Sequence, residues 1–275
     1  MSNINKATIL ILFLAISVCA VTLWPRTHVF QPEARHTFTW IGCHVNETLA
    51  DWASNLNFTD AVVRYDSDMA GSMSVLLTRG ITFWMYVGAH FFDWTSRTDQ
   101  STQFYKTELE KQVALSPSGN IYVDDCHMLI TWHGEQALGN FLEATRQVNT
   151  GNVLIDLYMA SSVINCDMRN LDIDIYQGVQ DSFASLTSDL ALNNPKSVGL
   201  YLWAWHDISL TWATMTEQLI EKKYGEAVSF GCTRMIVWNG YETDAVEKGM
   251  YEASLYNYPQ LWSLIASLNR NFLSS

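Results

Sequence analysis

Residues Val153 to Tyr158 read VLIDLY, and Leu171 to Tyr176 read LDIDIY. Successive residues of a β-strand point to opposite faces, so each stretch divides into two sets. In the first, Val153, Ile155 and Leu157 make an aliphatic face, opposed by Leu154, Asp156 and Tyr158. In the second, Leu171, Ile173 and Ile175 are opposed by Asp172, Asp174 and Tyr176. An aliphatic face of this kind packs on helices, which leaves the acidic and aromatic face to look into an interior. Six further apolar runs accompany these two: Phe38 to Cys43 (FTWIGC), Ala61 to Asp66 (AVVRYD), Thr82 to Gly88 (TFWMYVG), Ile121 to Asp125 (IYVDD), Val198 to Trp205 (VGLYLWAW) and Met235 to Trp238 (MIVW). Most of the stretches between them, such as TQFYKTELEKQVALS and GEQALGNFLEATRQVN, have helical spacing. Strand alternating with helix eight times predicts an α/β chain folded as a single (β/α)8 TIM barrel over residues 37–275. The length agrees, because such barrels take about 250 residues.

The same alternation sorts the other strands. Trp84 and Tyr86 are expected inside on the third strand, Tyr122 and Asp124 on the fourth, and Tyr201, Trp203 and Trp205 on the seventh. Arg64 and Asp66 of the second strand and Trp238 of the eighth join them. Barrel interiors are ordinarily filled by branched aliphatic side chains. Here the inward positions are acidic and aromatic, and burying unpaired carboxylates costs several kcal/mol per ion (roughly, after relaxation), so the acids call for a reason. Either Arg64 and water satisfy them, or they surround a ligand entering at the C-terminal mouth, where barrel enzymes keep their chemistry.

Composition narrows the ligand. The 275 residues carry 16 Lys and Arg against 28 Asp and Glu, a net charge of −12, and 48% are hydrophobic. Such a chain folds, and it lacks the cations that a phosphate backbone requires, so nucleic acid is not an expected partner. Neutral or cationic ligands suit it better.

At the N-terminus, Ala7 to Trp24 (ATILILFLAISVCAVTLW) holds no charge over eighteen residues and is flanked by Lys6 and Arg26. Residues 1–25 are therefore expected to be a signal peptide or an uncleaved signal anchor, followed by a short stalk over 26–36. The barrel would lie outside the cytoplasm, secreted or membrane-anchored, with the membrane as a partner only if the segment is uncleaved. The sequons Asn46-Glu47-Thr48 and Asn57-Phe58-Thr59 agree with export and a glycoprotein. Cys43, Cys126, Cys166 and Cys232 form no C-x-x-C pair, which leaves either two disulfides or free buried thiols.

Carboxylates opposed across a cleft are what glycosidic hydrolysis needs: one protonates the leaving oxygen while the other attacks the anomeric carbon or activates water. Asp124 and Asp125 end the fourth strand, and Asp172 and Asp174 lie on the sixth, Asp172 at greater depth. Asp124 is expected to be the nucleophile and Asp174 the acid/base, with Asp125 able to take over if the register is one residue off. Trp84, Tyr86, Tyr158, Tyr176, Trp203, Trp205 and Trp238 would offer apolar faces to sugar rings, and Arg64, Asp66, Asp156, Asp172 and Glu242 would bind hydroxyls. No cofactor and no metal is expected. Two other readings stand beside this one. A barrel could bind glycans without cutting them, since the Glu pair common on strands four and seven is missing. Alternatively His44, His90, His127 and His206, at predicted strand ends, could join Asp124 or Asp156 in a metal-dependent hydrolase.

Short motifs resemble known glycosidase barrels. Val123-Asp124-Asp125-Cys126 is similar to the strand-four motif of the α-galactosidase family, an Asp, a small or polar residue, then Cys. That resemblance implies Asp124 as nucleophile and Asp172 or Asp174 as acid/base. Cys166 to Asn170 followed by Asp172 resembles the same family's approach to its acid/base, with the spacing altered. The family's paired acids and Trp on strand two and its C-terminal β-domain have no counterpart. Trp84 to Gly88, Leu171 to Tyr176 and Met235 to Gly240 (MIVWNG) resemble the chitinase-like family, whose DxxDxDxE signature does not occur on strand four. The resemblances imply a glycosidase barrel that acts on carbohydrate, and they assign no family.

Overall fold

In the computed structural model of the chain, residues 34–64, 67–88, 91, 99–158, 172–176, 197–203, 205–208, 211–214, 216–229, 232–241 and 255–275 are described. At 158, 172–176, 197–203, 205–208, 211–214, 219 and 238–241 the description is of the backbone alone. The expectations for residues 1–25 and for all but the end of the stalk lie outside the described residues. Among those described, no helix is long and apolar enough to cross a membrane.

The chain order is β1 (His36–Ile41), α1 (Glu47–Asn55), β2 (Asp60–Val63), α2 (Met69–Leu77), β3 (Thr82–Gly88), α3 (Thr102–Leu115) and β4 (Asn120–Asp124). Then follow α4 (Met128–His133), α5 (Glu135–Gln147), β5 (Asn152–Tyr158), β6 (Asp172–Tyr176), β7 (Ser197–Trp203), β8 (Trp205–Ile208) and β9 (Thr211–Thr214). The last elements are α6 (Glu217–Ser229), β10 (Arg234–Tyr241), a 3-10 turn (Leu255–Asn257) and α7 (Pro259–Ser274). Helices start where the sequence supplies caps: Asn46, Asp68 and Ser101 each accept a backbone N–H from the first turn of α1, α2 and α3.

Eight strands hydrogen-bond in a closed ring, β1-β2-β3-β4-β5-β6-β7-β10 and back to β1, and every pairing in it is parallel. Described helices follow β1, β2, β3, β4 and β10, and α6 joins the β8–β9 hairpin to β10. The connections after β5 and β6 lie outside the described residues. Residue alternation divides the core in two. Phe83, Met85, Val87, Ile121, Val123, Ile155 and Leu157 pack outward against the helices. Phe38, Trp40, Val62, Tyr122, Leu154 and Ile236, with Trp84 and Tyr86 against them, fill the ring. These inward side chains come from the set that strand alternation selects, and among the described side chains the central layers are aromatic and aliphatic.

Two boundaries differ from expectation in a way that matters. Arg64 was expected inside, but β2 ends at Val63 and Arg64 is exposed beyond it, on the right parity but past the wall that would have enclosed it. Trp205 was expected on the seventh barrel strand. Instead β7 ends at Trp203, and Trp205 opens β8, which pairs antiparallel with β9 in a separate two-stranded sheet, Trp205 opposite Thr214. The continuous apolar run VGLYLWAW hid the change of partner, because pairing leaves no mark on hydrophobicity. The first strand also begins at His36, inside what was read as stalk.

Candidate functional site

Asp124 is the last residue of β4, and Asp156 lies in the same register on β5, since Val123 pairs with Ile155. Asp156 in turn is the Cα partner of Asp174 on β6, while Asp172 is level with Leu154 in the apolar layer below. Three aspartates on three neighbouring strands thus share one level near the C-terminal ends of the barrel strands. Asp124 and Asp156 are 5% and 2% exposed, so their carboxyl groups are out of bulk water.

Each is held by named donors. The Tyr86 hydroxyl, one strand away on β3, donates to Asp124 Oδ2 at 3.0 Å. Gly88, the Cα partner of Asp124, stands beside that hydroxyl; a Cβ there would lie 3.2 Å from it. Tyr86 is steadied from below by Trp40, edge-on at 4.4 Å between ring centroids. The backbone N–H of Asp125 donates to Asp156 Oδ1 at 2.5 Å, and the Cys126 N–H donates to the Asp156 carbonyl at 3.2 Å. Asp125 can turn its amide inward because its φ is +57°, a left-handed conformation that Asp tolerates better than most residues. A side-chain hydrogen bond joins Asp124 to Asp156.

Burial sets the protonation of this cluster. It disfavours the anion of Asp124 and, with the charge of neighbouring Asp125, pushes that carboxyl up from the usual 3.8 to about 7. Asp156 is raised well above its ordinary value by burial and then by the charge of Asp124. Burial also pushes up the Tyr86 phenol and the Cys126 thiol, which both stay neutral. Cys126 is a free, buried thiol whose Sγ lies 3.3 Å from the Val123 carbonyl, and no disulfide joins it to Cys43 or Cys232. Asp125, with a side chain 48% exposed, is open to solvent and has the His127 Nδ1 at 3.9 Å. Burial lowers the His127 pKa, and Asp125 partly opposes that shift.

Asp124, Asp125 and Asp156 each bring a carboxylate oxygen within 4.8 Å of the others, a spacing that a divalent ion can bridge. The inner oxygens are already engaged by Tyr86, by the Asp125 amide and by the bond between the two buried acids, which suits proton sharing better than ligation. Of the histidines weighed for a metal site, His44 is bound to Ser72 Oγ at 3.1 Å and the backbone of His206 lies on β8; among the described side chains, His127 stands beside the acids. His90 lies outside the described residues.

Trp84 faces the interior, but its indole N–H is bound at 2.8 Å to Asp60 at the N-terminal end of β2, and its ring lies 5.9 Å from Phe38. It therefore belongs to the lower layers rather than to the mouth. Asp60, 1% exposed, also holds His36 Nδ1 at 2.8 Å and closes the N-terminal end of the barrel. Strand reading missed it by starting the second strand at Ala61; extending the alternation from Val62 back by two would have found it. Tyr158, Asp172, Asp174, Tyr176, Trp203 and Trp238 lie on barrel strands by their backbones. Asp66 and Glu242 lie outside the described residues.

No protein-family model matches the chain, and no curated protein matches it in sequence. Solved structures do. A candidate alpha-L-fucosidase from Bacteroides thetaiotaomicron superposes with a TM-score of 0.51 at 9% identity, covering 88% of this chain and 96% of that one. The catalytic domain of an endoglucanase from Thermobifida fusca gives 0.49 at 10% identity, over 88% and 92%. A fructose-1,6-bisphosphate aldolase candidate from Coccidioides immitis gives 0.44 at 11%, over 86% and 87%. The first of these, at 9% identity, shows a shared fold and nothing of function, because one fold hosts many chemistries.

Proposed function

We propose that this chain is a glycoside hydrolase acting on a neutral glycan at the C-terminal mouth of a complete (β/α)8 barrel. The observation that carries the reading is the pair of buried, hydrogen-bonded carboxyls of Asp124 and Asp156 near the C-terminal strand ends, with Tyr86 donating to Asp124. Asp124, ionised and held by its donors, attacks the anomeric carbon. Asp174, two strands round the ring, protonates the leaving glycosidic oxygen and then activates the water that releases the sugar. Two interstrand spacings put their backbones about 9.6 Å apart, room for a glycosidic bond between them. A net charge of −12 repels anionic polymers and favours an uncharged substrate. The strand-four motif Val123-Asp124-Asp125-Cys126 supports the same class. Export or membrane tethering through residues 1–25 belongs to this proposal, and so does a mechanism without metal.

The test is a chromogenic-glycoside and oligosaccharide screen of the full chain with and without chelator. Turnover that survives chelator and disappears in Asp124→Asn and in Asp174→Asn supports the two-carboxylate mechanism. Wild-type activity in both single variants sinks it. Loss with chelator moves the chemistry to a metal, and binding without turnover makes this a glycan-binding barrel.

A further inference from the structure

Sequence alone makes Asp156 an acceptor for substrate hydroxyls, yet it is 2% exposed, less than Asp124 beside it, and its carboxyl group has internal partners. Oδ1 accepts the Asp125 N–H at 2.5 Å, and a side-chain hydrogen bond ties the group to Asp124. A bond between two carboxyls needs a proton on one of them, because two adjacent buried anions repel and lack solvation. The donors decide which. The Asp125 amide favours both anions, and Asp124 receives the Tyr86 hydroxyl besides, so Asp124 carries charge at lower cost than Asp156 does.

We propose that Asp156 is a positioning residue: its carboxyl holds a proton and donates it in a hydrogen bond to the Asp124 carboxylate, fixing the orientation of the attacking oxygen. This rests on the reading of Asp124 as nucleophile, but the proton itself can be observed without turnover. The groups that face the pair are Tyr86 from β3 and Asp125, Cys126 and His127 from the segment after β4; on β6, Asp174 is the Cα partner of Asp156. The Tyr86 phenol and the Cys126 thiol are neutral, and His127 has its basicity lowered by burial, so among the described side chains Asp125 is the neighbouring charge, and it opposes a second anion.

Two variants separate the role from mere packing. Asp156→Asn keeps a donor toward Asp124 and an acceptor for the Asp125 amide; Asp156→Leu removes both. Infrared difference spectra at about pH 8 are expected to show a buried protonated carboxyl in the wild type that is missing from Asp156→Asn. Where turnover is measured, the acid limb of the kcat/KM profile is expected to stay near the wild-type position in Asp156→Asn. In Asp156→Leu it is expected to move up by about one to two pH units, the worth of one hydrogen bond to a charged group. A band that is absent from the wild type, or that survives in Asp156→Asn, overturns the proposal even if glycosidase activity is found. A band lost in Asp156→Asn with no turnover on any glycoside keeps the shared proton and removes the glycosidase reading. If Asp156→Leu does not fold, the infrared comparison with Asp156→Asn decides alone.

Discussion

Replacing Asp124 by Asn should uncouple the stability of the barrel from pH. The folded carboxyl titrates at about 7 against an ordinary 3.8. A raised carboxyl contributes stability that is fully present below 3.8 and is lost as pH rises through about 7, because the folded chain keeps a proton that the unfolded chain has released. Integrating that linkage between about pH 5 and about pH 8 gives a loss of about 2 to 3 kcal/mol for this one group. At 5% exposure, solvent screening does not reduce it much. Asparagine has no such titration, so the variant should lose that much less across the same interval. The assay is urea unfolding at both pH values. Taking the difference between pH values within each protein, and then between proteins, cancels the cost of fitting the amide, about 1–3 kcal/mol if its N–H finds no acceptor. Equal pH dependence in the two proteins would refute the assignment of the raised carboxyl to Asp124. A variant that is more stable than wild type at about pH 8 and also inactive would show that the buried acid is kept for chemistry at a cost in stability.

Asp174→Asn should lower kcat by about 10²- to 10⁴-fold, the usual worth of a general acid, and the loss should be smaller on glycosides with an activated leaving group; steady-state rates on both substrate types check this. Asn269 is wholly buried, accepts the Tyr224 hydroxyl at 2.5 Å and donates to the Leu56 carbonyl at 2.8 Å, so it ties α7 to α6 and to the end of α1. Asn269→Leu strands both partners and should cost about 2–5 kcal/mol in urea melts. Asn46 is exposed and caps α1 through Oδ1, whereas the half-buried Asn57 donates Nδ2 to the Ala266 carbonyl at 2.9 Å. Expressed through a glycosylating secretory pathway, the folded product should carry glycan at Asn46 and not at Asn57, which intact mass of Asn46→Gln and Asn57→Gln reads directly.

Much of this protein is legible in its sequence because strand periodicity is a local property. VLIDLY and LDIDIY each declare two faces, and the aliphatic sets Val153, Ile155 and Leu157 or Phe83, Met85 and Val87 have nowhere to go but under helices. Eight such runs at helical intervals point to a parallel ring, and the inward positions Tyr86, Tyr122, Leu154 and Asp124 follow from counting by two. What counting cannot supply is where a strand stops, which partner it takes and at what height it meets its neighbour. Arg64 has the right parity but lies past the wall, and Trp205 continues an apolar run yet belongs to a hairpin. The sequence also treats Asp124 and Asp156 alike, as inward acids 32 positions apart. Their difference in charge comes from contacts between strands: a tyrosine hydroxyl from β3 reaches one, and an amide turned inward by a left-handed Asp125 reaches the other. Hydrophobic pattern fixes faces because burial is decided residue by residue; protonation is decided by the donors and charges that closure of the ring brings within a few ångströms, and only the tertiary structure sets those distances.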